Sequence, residues 1–370
     1  MAIFDNREER EKAILVGVQL RGVDDTTFAE SLAELEELVF SAEAEVVGSI
    51  IQKRERPDSR HYIGSGKLEE LNQLQREREA DLVIFDEKLS PAQVRNLESS
   101  LDTKVLDRGN LILDIFARRA RSREARVQVE LAQLQYLLPR LTRMWSHLTR
   151  HAGGIGTRGP GETQLESDRR QIGIKIAHLK RKLTKIKTQR ETQRKKRLDV
   201  FKIALVGYTN GGKSTLFNYL TRAGVWTDDR LFCTLDAVTR FLPTDNQKKV
   251  VIADTVGFVR KLPHELVASF ASTLDEVRYA DLLLHVVDIS HSNSEEHYRR
   301  TCEVLGDIGA GDIARLVLLN KCDLLEGDDL PVIDSKLGPQ EAYVVSAKTG
   351  YGLDKLLKFL TKYVDKHIRN

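Results

Sequence analysis

The sequence predicts an α/β protein in three parts: an N-terminal α/β domain over residues 1–110, an antiparallel helical hairpin over 111–199, and a domain over 200–370 with a mostly parallel sheet and helices on both faces. Both outer parts alternate strand-length apolar runs with helical patterns. In the middle part, apolar residues recur at heptad spacing. A chain of 370 residues has enough material for two or three buried cores.

Composition and the start of the chain predict a cytoplasmic protein. The longest apolar stretch, Leu282–Val287, is far shorter than the roughly 20 residues of a membrane span. The first nine residues mix charges where a signal peptide would be apolar. We therefore expect no membrane partner, and we expect a monomer. Three cysteines, Cys233, Cys302 and Cys322, are too widely spaced to indicate a zinc site or a disulfide framework.

Positive charge is concentrated in the middle of the chain. Between Arg118 and Arg197 there are 22 Lys and Arg against six Asp and Glu, a net +16, which leaves −13 for the other residues of a chain whose total is +3. Such a region favours a polyanionic partner, because binding releases the counterions of the phosphates. The alternative is a pair of solvated helices that carry ordinary surface charge.

The first part predicts alternating strands and helices. Strands are expected at Ile14–Val18, Val46–Ile51, Leu82–Phe85 and Val105–Leu106. Helices are expected at Phe28–Val39, Leu68–Glu79 and Pro91–Ser100. The first helix has one apolar face, and Pro91 favours the first turn of the last. This alternation predicts a mostly parallel sheet covered by helices.

A short glycine-rich turn, Tyr62–Lys67, precedes the second of these helices. It is shorter than the usual phosphate-binding loop, so the sequence favours a plain turn and helix cap. An anion site or second nucleotide site at Gly64–Lys67 is the alternative.

Two heptad series predict the hairpin. The first consists of Val127, Leu131, Leu134, Leu138, Leu141, Trp145 and Leu148, and the second of Ile172, Ile176, Leu179, Leu183 and Ile186. Each series predicts a helix with a packing seam. A loop between them that cannot be helical then predicts an antiparallel pair. Pro139 removes one backbone hydrogen bond of the first helix, so we expect a kink or a break there.

The expected tip of the hairpin is the glycine-rich loop Gly153–Gly161. Its backbone N–H groups carry little side-chain bulk. Close approach to a crowded ligand and a flexible turn are both consistent with this composition. The exposed faces of the two helices carry arginines, whose forked donors pair well with phosphates.

The last part again alternates strands with helices. Strands are expected at 203–206, 250–254, 282–288, 316–320 and 343–345, with an antiparallel edge strand near 238–242. Helices are expected at 213–222, about 265–279, about 294–306 and 352–367. Polar residues follow the strand ends, which is where an open α/β sheet binds a nucleotide.

A P-loop pattern, G-x-x-x-x-G-K-S, lies between the first strand and helix of this part. Its glycines let successive N–H groups face phosphate oxygens, and the helix N-terminus and Lys213 add positive charge. Ser214 is then the predicted Mg²⁺ ligand. The predicted phosphate-binding residues are Gly207, Tyr208, Thr209, Asn210, Gly211, Gly212, Lys213, Ser214 and Thr215.

Two residues at the end of the next core strand extend this site. The Asp254 carboxylate is placed to hold the hydration shell of Mg²⁺, and the Gly257 N–H is placed to touch a γ-phosphate. An Asp at a strand end would be unremarkable alone, but here it follows a P-loop in the expected order.

Two further strand ends predict the base. The Asp323 carboxylate can accept both N1–H and N2–H of guanine, while the Lys321 stem lies over the ring. Adenine lacks this pair of donors, so a site that binds the guanine donors rejects ATP. The predicted substrate is therefore GTP, and the predicted base-binding residues are Asn320, Lys321, Asp323, Ser346, Ala347 and Lys348.

The chain resembles the HflX family of ribosome-associated GTPases, which are related to translation factors, from about residue 13 to its end. The stretches that carry the resemblance are the P-loop, Phe232-Cys233-Thr234-Leu235-Asp236, Asp254-Thr255-Val256-Gly257-Phe258, and the loop Gly153–Glu162 with Gln164-Leu165-Glu166. Gly211 departs from the family pattern, which usually has alanine there. Many members also continue into a small C-terminal domain, whereas this chain ends at Asn370.

The resemblance implies that Thr234 is the switch threonine that reaches Mg²⁺ and the γ-phosphate. The predicted catalytic residues are then Lys213, Thr234 and Gly257. The predicted Mg²⁺ ligands are Ser214, Thr234 and, through water, Asp254. Asn210 either places a K⁺ ion beside the phosphates or holds the loop through local hydrogen bonds.

The resemblance also implies binding to the large ribosomal subunit, with rRNA contacts through residues 118–197, and splitting or rescue of ribosomes that stall under stress. Phe258 stands where signalling GTPases place the glutamine that orients the attacking water. We therefore expect slow intrinsic hydrolysis that a partner accelerates. The alternative is a GTP switch in assembly or regulation that does not remodel ribosomes.

Overall fold

The computed structural model describes residues 10–141, 160–195, 200–222, 230–232, 234, 236–243, 249–261, 271–325 and 342–367 of the chain. The chain forms two compact units. The first comprises Met1–Arg118 and Val127–Lys182, and the second comprises Arg119–Arg126 and Leu183–Asn370.

The first unit is built on a parallel sheet of four strands in the order β2-β1-β3-β4. Its strands are β1 (Lys12–Leu20), β2 (Glu45–Arg54), β3 (Leu82–Phe85) and β4 (Lys104–Asp107). Its helices are α1 (Asp25–Ser41), α2 (Ser65–Arg78), α3 (Pro91–Leu101) and α4 (Arg108–Arg119). The strands and first three helices lie where the hydrophobic pattern predicts them. Helix α4 was not predicted, and the expected domain boundary at residue 110 falls within it.

Local chemistry explains where these helices begin. Asp24 caps α1 by accepting the N–H of Thr27 at 2.8 Å. Ser90 and Gln93 form a reciprocal capping box at the start of α3, with Pro91 in its first turn. Central strand β1 is buried along most of its length, as expected for a parallel strand covered on both faces.

Helices α5 (Arg123–Leu141) and α6 (Pro160–Lys195) correspond to the two heptad series. The sequence predicts a kink or a break at Pro139. The break is wrong for the described residues, because α5 continues past this proline to Leu141, and the kink stays a prediction. Pro160 and Gly161, expected in the non-helical tip, belong to α6 instead. Proline suits a first helical turn because its missing N–H has no partner there. The rest of the tip loop, with Trp145 and Leu148, lies outside the described residues.

The heptad positions form the less exposed stripe of these helices. Val127, Leu131 and Leu179 are buried, and the other described positions are half-buried apart from Leu141, whose side chain is outside the description. A 2.7 Å ion pair between Lys175 and Glu130 joins α6 to α5 at the surface.

The second unit is built on a six-stranded sheet in the order β10-β9-β8-β5-β7-β6. Its strands are β5 (Val200–Gly207), β6 (Val238–Phe241), β7 (Lys249–Asp254), β8 (Leu282–Asp288), β9 (Arg315–Asn320) and β10 (Ala342–Val344). Its helices are α7 (Lys213–Thr221), α8 (Ala271–Arg278), α9 (Ser294–Asp307) and α10 (Leu353–His367). Among the described strands of this sheet, β6 alone pairs antiparallel, as predicted for the edge. The part of the predicted 265–279 helix before Ala271 lies outside the described residues.

Strand β5 lies at the point where the strand order reverses. It pairs in parallel with β7 on one side and with β8 on the other. In open α/β sheets, ligands bind at the carboxyl ends of the strands that flank such a reversal. The phosphate-binding turn follows β5 and therefore lies at this place.

None of the helices in the described part of the chain is long and apolar enough to cross a membrane. Cys302 and Cys322 are free thiols, and Cys233 lies outside the described residues.

Candidate nucleotide-binding site

The turn between β5 and α7 depends on two glycines in the left-handed region. Gly207 has φ +145°, and a Cβ there would lie 2.2 Å from the Val286 carbonyl oxygen. Gly212 has φ +90°, and a Cβ there would lie 2.2 Å from Asn320 Nδ2. Glycine is therefore required at both positions by conformation and by space. Gly211 differs, because an added Cβ would approach Tyr208 O only to 3.2 Å.

Lys213 is the first residue of α7 and is 6% exposed. Its Nζ donates to the Tyr208 carbonyl at 2.5 Å, so the ammonium is folded back over the turn. This geometry places a full positive charge beside the helix N-terminus, where anions are favoured.

A cavity of about 540 Å³ opens above this turn. The predicted residues that line it are Thr209, Asn210, Gly212, Lys213, Ser214, Thr215, Thr234, Gly257, Asn320, Lys321, Asp323, Ala347 and Lys348. The predicted residues that do not line it are Gly207, Tyr208, Gly211, Asp254 and Ser346. A volume of this size suits a nucleotide.

Ser214 and Thr234 line the cavity, and both contact Asp254, which does not line it. Asp254 Oδ2 accepts from Ser214 Oγ at 2.6 Å and from Thr234 Oγ1 at 3.1 Å. The two hydroxyl oxygens are 3.0 Å apart. Asp254 is fully buried, and its Oδ1 has no hydrogen-bond partner among the described residues. Burial raises the pKa of this carboxyl, against the opposing effect of the Ser214 hydroxyl and of Lys213.

Gly257 closes the cavity beside Lys213. A Cβ at this position would lie 2.7 Å from Thr209 Cα and 2.9 Å from Lys213 Nζ, so a side chain has no room. Phe258 is 3% exposed and does not line the cavity. Its backbone pairs with the phosphate-binding turn, since Thr209 N donates to Phe258 O at 2.8 Å and Phe258 N donates to Gly207 O at 3.2 Å.

The Asn-Lys-Cys-Asp segment connects the phosphate-binding turn to the base-binding end of the cavity. Asn320 Nδ2 donates to Gly211 O at 2.9 Å, and its Oδ1 accepts from Ala347 N at 2.9 Å. Asp323 Oδ1 accepts from Ser346 Oγ at 2.6 Å. Two loops that are distant in sequence are thereby fixed to each other. Asp323 lines the cavity beside Lys321, Ala347 and Lys348.

Tyr208 belongs to the motif, but its ring points away from the cavity. It stacks on His297 of α9 with ring centroids 3.8 Å apart and planes 4° from parallel. Burial, together with His291 and Arg260, lowers the pKa of His297 to about 4. The imidazole is therefore neutral at physiological pH and serves as a packing partner that supports the turn.

Four further residues line the cavity that the sequence did not predict, namely Arg230, Phe232, Thr255 and Leu324. Phe232 and Thr255 lie in the stretches that carry the family resemblance, so their position was a usable signal. Thr255 Oγ1 donates to Leu205 O at 2.5 Å, which fixes the start of the segment that leads to Gly257. Arg230 and Leu324 stand in no recognisable pattern.

The turn at Gly64–Lys67 already has protein partners. Gly64 N donates to Gln52 Oε1 at 3.0 Å, and Lys67 Nζ lies 2.7 Å from Glu70. Gly64 is the N-cap of α2. These contacts favour the turn and helix cap over a second nucleotide site.

One cavity thus joins the phosphate-binding turn to the Asn320–Asp323 and Ala347–Lys348 segments, which the sequence predicts to bind guanine. The class is that of the P-loop GTPases. The chain is 47% identical to GTPase HflX of Caldanaerobacter subterraneus subsp. tengcongensis over 97% of this chain and 82% of that protein. It is 45% identical to GTPase HflX of Escherichia coli strain K12 over 97% of this chain and 84% of that protein. The chain belongs to the HflX family and is a GTP-hydrolysing enzyme.

Three family models match successive parts of the chain. Residues 29–117 match "GTP-binding GTPase N-terminal", 119–197 match "GTP-binding GTPase Middle Region", and 202–321 match "50S ribosome-binding GTPase". Among solved structures, the crystal structure of the SsGBP–GDP complex superposes with a TM-score of 0.55 at 29% identity. That likeness covers 96% of this chain and 99% of the other, so the fold is shared over both units.

Proposed function

We propose that this GTPase binds the large ribosomal subunit and splits or rescues ribosomes that stall under stress. The observation that carries the proposal is the match of residues 202–321 to the family described as 50S ribosome-binding GTPases. The net +16 between Arg118 and Arg197 supports it, because such a region suits the phosphates of rRNA. The proposal takes the protein to act as a monomer in the cytoplasm.

Mg²⁺ is the cofactor that fits the cluster of Ser214, Thr234 and Asp254. Hydroxyl and carboxylate oxygens are the hard ligands that Mg²⁺ prefers. The buried Asp254 Oδ1, which lacks a partner among the described residues, is where a protein oxygen would accept from a metal-bound water. When bound, Mg²⁺ neutralises charge on the β- and γ-phosphates.

The residues of this chain contribute mainly position and charge. In this proposal, Lys213 and the N–H groups at the start of α7 bind the phosphates, and Gly257, which lines the cavity, donates its N–H to the γ-phosphate. These donors stabilise charge that develops as the phosphoryl group transfers. Asp323 selects guanine, because its carboxylate would be left unpaired against adenine.

Intrinsic hydrolysis is slow in this proposal. Phe258 stands where related enzymes orient water with glutamine, and its buried phenyl ring has no polar atom for that role. A ribosomal partner supplies or orders the missing group. Arginine fingers that act from a partner show how large such an effect becomes, at about 10³- to 10⁵-fold.

K⁺ is the second cofactor of the proposal. Asn210 lines the cavity in the left-handed conformation, with φ +58° and an exposed side chain. From this position it would hold a monovalent cation beside the phosphates. Turnover in KCl should then exceed turnover in NaCl at equal ionic strength, and equal rates would favour the purely structural role of Asn210.

Remodelling and a passive switch make different predictions for intact 70S ribosomes. The protein is mixed with ribosomes and GTP, or a non-hydrolysable GTP analogue, and the mixture is separated on a sucrose gradient. Remodelling predicts conversion to free subunits, with the protein on the large subunit. A switch in assembly or regulation predicts binding to intact ribosomes with no dissociation. Lys213→Ala, which loses the phosphate-binding charge, is the control: it should neither dissociate ribosomes nor bind them in a GTP-dependent way.

A further inference from the structure

Lys321 reaches the nucleotide cavity from the end of β9, but its ammonium group is not directed into it. The residue has φ +64°, lines the cavity, and is 26% exposed in its side chain. Its Nζ lies 2.6 Å from Asp288 Oδ2. The methylene stem of Lys321 therefore extends from its backbone at the cavity to the carboxylate of Asp288, which does not line the cavity.

Asp288 is fixed on the neighbouring strand. It is the last residue of β8 and is paired in register with Asn320, directly before Lys321. Its second oxygen, Oδ1, accepts from Ser290 N at 3.0 Å and from Ser290 Oγ at 2.6 Å. The side chain is only 15% exposed. The carboxylate thus has one oxygen held by its own turn and the other committed to Lys321.

A lysine stem has four rotatable bonds, and an unrestrained ammonium group moves toward water. Holding the ammonium in place before the nucleotide arrives removes part of the entropy that binding would otherwise lose. A flat base needs an extended apolar surface on one face, which an ordered stem provides.

We propose that Asp288 is a positioning residue for guanine nucleotides, because it holds the Lys321 stem across the face of the base. The proposal rests on the assignment of this cavity as the guanine nucleotide site. Asp288 does not touch the nucleotide. It acts through Lys321, so its effect should be the same for any base that stacks on the stem and should vanish when the lysine charge is absent.

The test compares dissociation constants for GDP and for IDP, which lacks the 2-amino group, by titration calorimetry. Asp288→Asn should raise the dissociation constants for GDP and for IDP about fivefold, which is within the range for ordering one long side chain. In a Lys321→Met background, which keeps an apolar stem without its charge, Asp288→Asn should have no further effect. Asp281→Asn is the matched control: this carboxylate lies just before β8, at the other end of the strand, and accepts Lys202 N at 2.7 Å.

Two results would overturn the proposal. One is an unchanged GDP affinity for Asp288→Asn, and the other is an equal loss in the wild-type and Lys321→Met backgrounds, which would assign Asp288 a role in the turn with Ser290 alone. Asp323→Asn tests the site itself in the same assay, since it should narrow the preference for GDP over IDP. If that preference does not change, the guanine assignment fails independently of Asp288.

Discussion

Gly257 is the residue where a single added carbon should disturb the phosphate site most. A Cβ there would lie 2.7 Å from Thr209 Cα and 2.9 Å from Lys213 Nζ. We expect Gly257→Ala to lower single-turnover GTP hydrolysis about 10- to 100-fold, because overpacking displaces the turn or Lys213. Gly306→Ala in α9 is the control, since a Cβ there meets nothing within 4 Å. Equal rates for Gly257→Ala and the wild type would contradict the geometry.

His285 should make the stability of the second unit sensitive to acid. It is fully buried on β8, stacks on Tyr298 with centroids 4.6 Å apart, and has its pKa lowered to about 3 by burial, Arg315 and Lys213. As pH falls below the ordinary value of 6.5, the unfolded chain takes up a proton that the folded chain refuses, so stability is lost. At pH 5 this loss is about 2 kcal/mol.

His285→Phe keeps the stacking on Tyr298 and removes the titration. Urea unfolding at pH 7 and pH 5 should therefore show a smaller acid-induced loss of unfolding free energy for the variant, by about 2 kcal/mol. Parallel losses in the two proteins would show that His285 does not titrate as its environment requires.

Single residues could be predicted from the sequence where a motif fixes both the residue type and its spacing. The P-loop residues, Asp254 and Asp323 were assigned from sequence because each motif requires them at one position. Contacts between residues that are distant in sequence could not be predicted, as the stack of Tyr208 on His297 illustrates. Nothing in the pattern around Tyr208 indicates which residue of α9 would lie against its ring.

At the scale of elements, Asp236 ties the segment after Thr234 to the start of α5. Its Oδ2 accepts from Arg121 N at 3.0 Å and Ser122 N at 2.8 Å, and its Oδ1 accepts from Ser122 Oγ. Ser122 Oγ in turn accepts Ala125 N at 3.0 Å, in the first turn of the helix. A carboxylate at a helix N-terminus satisfies donors that have no intrahelical partner.

Asp236→Asn should lower the unfolding free energy by about 1 to 2 kcal/mol, because the amide loses the charge and one acceptor at this helix end. Hydrogen exchange at Arg121 and Ser122 should become faster. Asp312→Asn, at an exposed aspartate of the same unit, should change neither quantity. Unaltered hydrogen exchange at Arg121 and Ser122 in Asp236→Asn would mean that the contacts with Asp236 do not order the start of α5.

Most elements could be predicted from hydrophobic periodicity, and the exceptions have identifiable causes. Helix α4 follows β4 without a linker, so no turn residue separates the two apolar patterns. Helix α6 begins at Pro160, inside the stretch expected to be a loop. Its start could not be predicted from the glycine-rich composition, because proline suits a loop and a first helical turn equally well. Helix α5 continues through Pro139, since the loss of one hydrogen bond near a helix end is tolerated.

At the scale of the whole molecule, charge segregation predicts salt-sensitive binding to a polyanion, which in the proposed function is ribosomal RNA. Replacing Arg169 and Arg170, both exposed on α6, with alanine should weaken pelleting with large subunits and reduce its salt dependence by one to two phosphate contacts. The double replacement of Arg76 and Arg78, exposed on α2, removes the same charge outside the basic region. Equal effects of the two double variants would argue against an RNA surface at 118–197.

The measurement that tests the central claim most directly is steady-state GTP turnover with and without purified large ribosomal subunits, in Mg²⁺ and KCl. We predict slow turnover by the protein alone and stimulation of at least about tenfold by the subunits, because the buried Phe258 stands where signalling GTPases place the glutamine that orients the attacking water. Lys213→Ala should remove both activities. Comparable wild-type turnover in the presence and absence of subunits would contradict a GTPase whose hydrolysis depends on the ribosome.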